Sequence, residues 1–326
     1  MKRVLVTGAG GFIGSHLVRR LKAEGCWVRG TDIKYPEFSE TVADEFEILD
    51  ARRRDDCLQA TRAVDSVFSL AANMGGIGWT HQAPAAIMYD NLLISTNTLE
   101  ASRINEVENI FYSSSACVYP NYLQETNESP GLKEDNVFPA EPDMEYGWEK
   151  LTAEIFHETY KKSYGLNIKI ARFHNIYGPL GTYDGGKEKS PAAICRKTAK
   201  IEGKEGDIEV WGDGTQARSY CYIDDCVEGC IRIMRSNIDR PINLGSDHMV
   251  TINELVDIVS TIADKKVYCK YDLSKPVGPK GRNSDNTLIK ELLGWAPSIS
   301  LEQGLEETYK WINNQLVNPH QGKQGL

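Results

Sequence analysis

Tyr146 and Lys150 stand four residues apart, a spacing that on a helix puts both side chains on one face. An ammonium beside a phenol favours the tyrosinate, so the pair predicts a tyrosine pKa drawn down toward neutrality. Such a tyrosine is a usable general base toward a hydroxyl group. The spacing also arises by chance, and its weight depends on what surrounds it. A second cluster is Ser113-Ser114-Ser115-Ala116-Cys117-Val118-Tyr119-Pro120, which follows an apolar run, Asn109–Tyr112, that reads as the end of a buried strand. In an open parallel sheet that carboxyl edge is where ligands bind. Ser115 at the strand end can hold the same hydroxyl that Tyr146 would deprotonate. The plainer reading of this stretch is a serine-rich turn beside a small buried cysteine.

The elements needed to place these groups are legible along the chain. Arg3–Thr7 reads as a short buried strand that runs into Gly8-Ala9-Gly10-Gly11-Phe12-Ile13-Gly14 and then a helix ending at Gly25. A second strand, Trp27–Thr31, finishes on Asp32. Strand, glycine turn, helix, strand and acid in this order make a dinucleotide site: the turn lets a pyrophosphate approach backbone amides, and the helix N-terminus favours the anion. Asp32 suits ribose hydroxyls and repels a 2′-phosphate, so NAD is favoured over NADP, with Arg29 and Lys34 nearby as the competing signal. Phe46–Asp50 is a third strand, with Asp50 either meeting the adenine or capping the helix that starts near Arg52. Val64–Leu70 is a fourth, ending in Ala71-Ala72-Asn73, where small residues let the backbone lie against the cofactor. Met74–Trp79, with three glycines, reads as a lid loop. A long helix, 84–105, leads back to the serine cluster. Tyr146 opens a helix to Tyr164, and Ile168–Phe173 makes the sixth strand. The fold class is therefore α/β: a doubly wound parallel sheet with a smaller C-terminal α/β domain. The expected division is 1–176 for the NAD-binding domain with a returning segment at about 217–240, and 177–216 with 241–317 for the substrate domain. Residues 318–326 form a tail expected to be disordered.

Composition excludes several other classes. A net charge of −9 opposes nucleic-acid binding, and no apolar run reaches membrane-spanning length. Lys2 and Arg3 precede apolar residues, but Val4–Val6 is too short for a secretory core. The eight cysteines are scattered without a CxxC pair. They read as reduced, hence a cytoplasmic protein, and no metal site is assigned.

With those residues on the page, the chain resembles the extended short-chain dehydrogenase/reductase family of nucleotide-sugar enzymes, the NAD-dependent epimerase/dehydratase type. Gly8-x-x-Gly11-x-x-Gly14 and Tyr146-x-x-x-Lys150 mark the superfamily alone. Ala71–Gly76, Ser113–Pro120, Arg172–Pro179, Gly185–Ala193 and Gly281–Asn286 carry the rest of the resemblance; within them Met74-Gly75-Gly76, Cys117 and Glu188-Lys189-x-Pro191-Ala192-Ala193 are far more specific, and are similar to the branch acting on GDP-mannose. The resemblance implies cofactor contacts from Gly8, Gly11, Phe12, Ile13, Gly14, Asp32, Asp50, Ala71, Tyr146 and Lys150. It implies oxidation of a GDP-sugar at C4 with Tyr146 as base, then inversion of the flanking C5 and C3 through enolates. Cys117 and Lys189 take the two acid/base places, and re-reduction at C4 regenerates NAD. Lys187, Arg196 and Lys197 are close enough in sequence to depress the Lys189 pKa. Substrate contacts carried over by position are Gly75, Ser115, Cys117, Asn175, Glu188, Lys189, Lys197, Gln216, Arg218 and Arg282. Arg218 and Arg282 read equally as surface ion-pair partners, and His174 as a buried hydrogen-bonded residue. A homodimer through the two long helices is the expected assembly. Ala116 and Cys117 stand where sugar 4,6-dehydratases carry carboxylates, which argues against water elimination. The rival is an epimerase–reductase of the GDP-fucose synthase type, with a histidine as second acid/base group and NADPH. A catalytically dead nucleotide sensor is the reading from a different class, and the intact Ser115, Cys117, Tyr146 and Lys150 oppose it.

Overall fold

Short apolar runs bounded by turn residues form strands buried on both faces, and the longer amphipathic stretches between them cover those faces as helices. The computed structural model of the chain describes residues 3–318. It begins with β1 (Arg3–Thr7), α1 (Phe12–Ala23), β2 (Trp27–Asp32), β3 (Glu45–Ile48), α2 (Arg54–Ala60) and β4 (Ser66–Ser69). There follow α3 (Ile77–Gln82), α4 (Pro84–Ile104), β5 (Asn109–Ser115), α5 (Met144–Tyr164), β6 (Asn167–Phe173), β7 (Ile176–Tyr177) and α6 (Ser190–Ala199). The remainder is β8 (Glu205–Trp211), β9 (Ala217–Ser219), β10 (Cys221–Tyr222), α7 (Ile223–Arg235), β11 (Ile242–Leu244), β12 (Met249–Thr251), α8 (Ile252–Ala263), β13 (Lys266–Asp272), β14 (Gly281–Arg282), α9 (Thr287–Leu293) and α10 (Leu301–Val317).

Seven parallel strands form the central sheet in the order β3-β2-β1-β4-β5-β6-β11. The chain reverses direction across the sheet between β1 and β4, and this opens a crevice at the carboxyl edge. Helix α1 packs on α7, while α4 packs on α2 and α5. The remaining strands make a β12-β9-β14 sheet and the parallel pairs β8–β13 and β7–β10, with α6, α8 and α10 packed together. No helix among the described residues is long and apolar enough to cross a membrane.

Two expectations change. The loop after Asn73 coils into α3 from Ile77, with Gly76 as its cap residue. The returning segment reaches further than 240, because β11 pairs with β6 in the main sheet. The β8–β13 pair joins strands far apart in sequence, so neither could be paired from local pattern. Most of the predicted tail lies outside the described residues.

The sheet edge beneath the crevice is held by a buried polar network. Arg172 on β6 donates to both oxygens of Glu154 on α5, at 2.9 and 2.7 Å. Glu154 also accepts from the Ser114 hydroxyl at 2.5 Å, and Arg172 donates to Tyr119 and to the Glu134 carbonyl. The Tyr119 hydroxyl donates to Asn243 Oδ1 at 2.6 Å, and Asn243 donates to the Leu132 carbonyl and the Glu134 carboxylate. Breaking such a pair by removing one partner costs about 3–5 kcal/mol. A separate aromatic group joins three segments: Phe38 lies 5.6 Å from Tyr183 and 5.2 Å from Trp311, which are 5.4 Å from each other.

Two buried histidines make the fold sensitive to acid. His174, as predicted, is fully buried, with Nε2 at 3.0 Å from Asn243 Oδ1; burial is the main cause that lowers its pKa to about 3. His157 stacks on Tyr112 at 4.2 Å and is lowered to about 4, again chiefly by burial. Both are neutral when folded and ionise more readily when unfolded, so the unfolded chain binds more protons below their ordinary pKa of about 6.5. Stability is therefore intact above about pH 6.5 and is lost as pH falls toward 4. Urea denaturation between pH 7.5 and 4.5 should show a falling midpoint, and His157→Phe should remove about 2–3 kcal/mol of that loss. An unchanged pH slope in the variant would show that His157 is not buried neutral.

Candidate active site

Strand β5 runs on to Ser115, and a single 3₁₀ turn, Ala116–Val118, follows. The Ser115 hydroxyl accepts the Cys117 N–H at 3.2 Å, which turns the chain at the sheet edge. Helix α5 arrives against this turn: the Asp143 N–H donates to the Cys117 carbonyl at 3.3 Å. A Cβ on Gly147 would lie 2.3 Å from that same carbonyl oxygen, so only glycine allows the approach. Tyr146, Ser115 and Cys117 are thereby brought to one point.

The electrostatics there differ from the sequence expectation. Tyr146 is 8% exposed, and burial pushes its phenol well above 10. Charge on Glu149 and Cys117 adds to the rise, against smaller opposing effects of Ser115 and Arg282. Lys150 is one turn away as predicted, but its ammonium lies 5.8 Å from the Tyr146 ring centre. It donates instead to the Ser113 carbonyl at 3.0 Å and the Tyr112 hydroxyl at 3.3 Å. Burial lowers the Lys150 pKa, with Glu149 opposing. The pair alone does not depress the tyrosine.

Lys189 caps α6 and faces the same cavity, about 440 Å³ in volume, as Ser115, Cys117 and Tyr146. This is an ordinary size for a small-molecule site. Burial is the main cause of its lowered pKa, with Arg282 contributing and the charges of Cys117 and Cys226 opposing. The three cations expected to depress it are committed elsewhere. Lys187 sits 3.7 Å over the Trp79 ring, Arg196 pairs with Glu188 at 2.9 Å, and Lys197 donates to the Glu209 carbonyl at 2.7 Å.

The other predicted substrate residues reach the cavity from separate elements. Gly75 lines it beside α3, and Glu188 and Lys197 line it around α6. Asn175 sits in the left-handed region at φ 45° and donates to the Ser219 carbonyl at 2.9 Å. Gln216 lines it next to β9 and donates to the Trp211 carbonyl at 2.9 Å. Arg218 on β9 donates to the carbonyls of Ala217 and Val277, and burial, with Arg282 beside it, lowers it to about 10. Arg282 on β14 is buried, not a surface ion-pair partner: it donates to Cys117 Sγ at 3.1 Å, to Asp143 at 3.0 Å and to Gln124 at 2.5 Å. Reading the sequence missed Asp143, Gln124 and Trp211. Asp143, at the residue before α5, could have been noticed as a helix-capping acid, but it makes no side-chain cap and turns to Arg282 instead.

A second groove lies at the glycine turn. Gly8 leaves β1, Gly11 is the cap residue of α1, and Phe12, Ile13 and Gly14 form its first turn. No side chain caps α1, so its first N–H groups stay open to an anion. Asp32 Oδ2 accepts the Gly10 N–H at 3.0 Å while Oδ1 accepts from Ile33 and Lys34. Burial raises its pKa against these bonds. Arg29 is tied to Glu45 at 2.8 Å and Lys34 lies near Glu37, which answers the competing signal for a 2′-phosphate. Asp50 is engaged by Arg52 at 2.7 Å and accepts its N–H at 3.0 Å; Arg53, not Asp50, is the residue preceding α2. Ala71 lies beyond β4, with its N–H directed to the Thr7 hydroxyl at 3.3 Å. An uncapped helix end, a bare glycine turn and an acid at the end of β2 fit a dinucleotide.

Comparison with known proteins agrees with this geometry. Residues 4–245 match the NAD dependent epimerase/dehydratase family. A GDP-mannose 3,5-epimerase 1 from Oryza sativa subsp. indica is 49% identical over 96% of this chain and 82% of its own length. A GDP-L-fucose synthase from Sinorhizobium fredii is 30% identical over 97% of this chain and 98% of its own. Among solved structures, UDP-glucose 4-epimerase from Thermotoga maritima with UDP-glucose superposes with a TM-score of 0.86 at 26% identity, covering 96% of this chain and 99% of that one. The chain belongs to the NAD dependent epimerase/dehydratase family, and its cofactor is NAD. A Cβ on Gly10 would lie 2.1 Å from the Lys34 carbonyl oxygen and displace the segment that borders the groove. Overpacking of this kind costs about 1–3 kcal/mol, so Gly10→Ala should weaken NAD binding about 10- to 100-fold by calorimetry. Affinity within twofold of the parent would remove Gly10 from the cofactor site.

Proposed function

We propose that the chain is a GDP-mannose 3,5-epimerase, which oxidises C4 of GDP-mannose, inverts C5 and C3, and re-reduces C4 to give GDP-L-galactose and GDP-L-gulose. The observation that carries this is the meeting of Tyr146, Cys117 and Lys189, from three distant parts of the chain, at one cavity. The sequence likeness to the rice GDP-mannose 3,5-epimerase supports the substrate.

Bound NAD supplies the reversible hydride exchange at C4. Ser115 orients the C4 hydroxyl and Tyr146 takes its proton as the tyrosinate; burial holds the phenol well above 10, and the positive charge that NAD⁺ would bring to the site favours the tyrosinate. A ketone at C4 acidifies the hydrogens on C3 and C5. Inversion then needs one group to remove a proton from one face and another to deliver one to the opposite face, and Cys117 and Lys189 are those groups. The lowered pKa of Lys189 allows a neutral amine to take part. Arg282 donates to the Cys117 sulfur at 3.1 Å and so fixes its position beside the cavity. Lys197, Arg218 and Arg282 provide cations for a diphosphate in a protein of net charge −9.

The alternative is the GDP-fucose synthase type. Its second acid/base group is a histidine, whereas here the place is taken by Lys189 and His174 is buried on Asn243. The identity of 49% against 30% points the same way. We assign residues 1–176 with a returning segment extended to Leu244 to cofactor binding, and 177–216 with 245–317 to the sugar nucleotide. A cytoplasmic location accords with eight free cysteines. A homodimer accords with the apolar side chains exposed on the two long helices, among them Tyr89, Trp148, Ile155 and Phe156. Light scattering should return twice the monomer mass; a monomer at micromolar concentration would remove the dimer.

Incubation with GDP-mannose in heavy water, without added reductant, should place deuterium at C5 and C3. Cys117→Ala and Lys189→Ala should each abolish that exchange while NAD stays bound. Conversion without exchange would leave a 4-epimerase, loss of oxygen at C6 a dehydratase, and no turnover of any GDP-hexose would overturn the substrate assignment.

A further inference from the structure

We propose that Arg196 is a positioning residue for Lys189, acting through the 184–188 loop. The proposal rests on the reading of Lys189 as an acid/base group and adds a residue to that machinery.

Lys189 stands where this loop joins α6, so the loop decides where its side chain starts. The glycine pair brings no side-chain packing to the loop. Gly185 and Gly186 both lie at positive φ, 90° and 85°, and no atom approaches within 4 Å of where their Cβ atoms would be. Arg196 lies two turns further along α6 and reaches back over it. Its guanidinium donates to Glu188 Oε1 at 2.9 Å and lies 3.4 Å from Asp184 Oδ1, which spans the two ends of the glycine pair. The other oxygen of Glu188 accepts the Gly186 N–H at 2.7 Å, so a single carboxylate joins the loop backbone to the helix. Both side chains of the Arg196–Glu188 pair are largely buried, at 15% and 11% exposed. Exposed pairs are worth little, and a guanidinium that reaches two carboxylates with two different nitrogens fixes direction as well as distance.

The far side of the loop is held as well. The Gly76 N–H donates to the Lys187 carbonyl at 2.9 Å, and the Lys187 ammonium covers the Trp79 ring. The loop is thus gripped between α3 and α6, and Arg196 is the grip on the α6 side. Arg196 is not among the charges that move the Lys189 pKa, whereas Arg282 is. Its effect on Lys189 is therefore one of place. A misplacement of about 1 Å at a reacting group can cost about 10²-fold in rate. Arg196 Nε is buried with no partner among the described residues, so the guanidinium is oriented by its two terminal nitrogens alone.

The test uses the NAD-loaded full chain with Arg196→Gln and Arg196→Lys. Acetylation of Lys189 by acetic anhydride, read by mass spectrometry against the exposed Lys310, needs no substrate. Arg196→Gln should raise it several-fold as the side chain swings out, and Arg196→Lys, which cannot span both carboxylates, should fall between. With GDP-mannose in heavy water, Arg196→Gln should lose about 10²-fold in deuterium uptake, while the 4-ketone trapped after quenching stays within twofold or rises. Guanidinium ion should restore part of the exchange in Arg196→Gln and none in Lys189→Ala. Unchanged acetylation, or a 4-ketone yield that falls in step with exchange, overturns the proposal. Should the parent itself exchange nothing with GDP-mannose, the function reading fails while acetylation still decides the role of Arg196. Should the glutamine variant not fold, unaltered acetylation in the lysine variant overturns the proposal equally.

Discussion

The buried pair of Arg172 and Glu154 is the interaction on which the rest of the site depends. It ties β6 to α5, and through Ser114 it ties α5 to the end of β5. β5 carries Ser115 and runs straight into the turn that holds Cys117, and α5 carries Tyr146 and Lys150. Two charges removed from water repay their desolvation only when every remaining lone pair and proton is matched. Here the matching is done by Ser114, Tyr119, the Glu134 carbonyl and, one step on, Asn243 of β11. The network thus spans three neighbouring strands and the helix above them, and fixes their relative height by direction-sensitive bonds. An apolar core would hold the layers together but would let them slide.

Much of this was legible because it is local. The glycine turn, the acid closing β2 and the Tyr146–Lys150 spacing each sit within one strand–turn–helix unit, where chain geometry leaves few alternatives. The cavity residues were reached differently: Gln216, Arg218 and Arg282 have no local signature and were placed by position within the resemblance. What could not be read depended on partners distant in sequence. The β8–β13 pairing, the contact of Asp143 with Arg282, and the engagement of Arg196 and Lys197 away from Lys189 all belong to this kind. The Tyr146 pKa was misjudged for a related reason. Spacing gives the distance to Lys150 but says nothing of how deeply the phenol is buried, and burial is the larger effect.

The cavity divides its work between rigid and adjustable parts. The face that carries Ser115, Cys117 and Tyr146, proposed to meet C4, is built on the sheet edge, with Gly147 pressed on the Cys117 carbonyl. The face that carries Lys189 is built on a glycine loop held from both sides. On the proposed reading, work at C3 and C5, on either side of C4, gains from this asymmetry, because the ring can shift against one fixed wall while the other wall follows.

The aromatic group of Phe38, Tyr183 and Trp311 bears on how the working protein is made. Phe38 belongs to the segment bordering the cofactor groove, while Trp311 lies on the last helix. During synthesis the glycine turn emerges early and can fold with its own strands, as domains generally do in order from the N-terminus. Its outer wall gains its support only when α10 has left the ribosome and docked. The brace on that wall is complete only when α10 has docked, and a nascent chain that stalls before Trp311 lacks it.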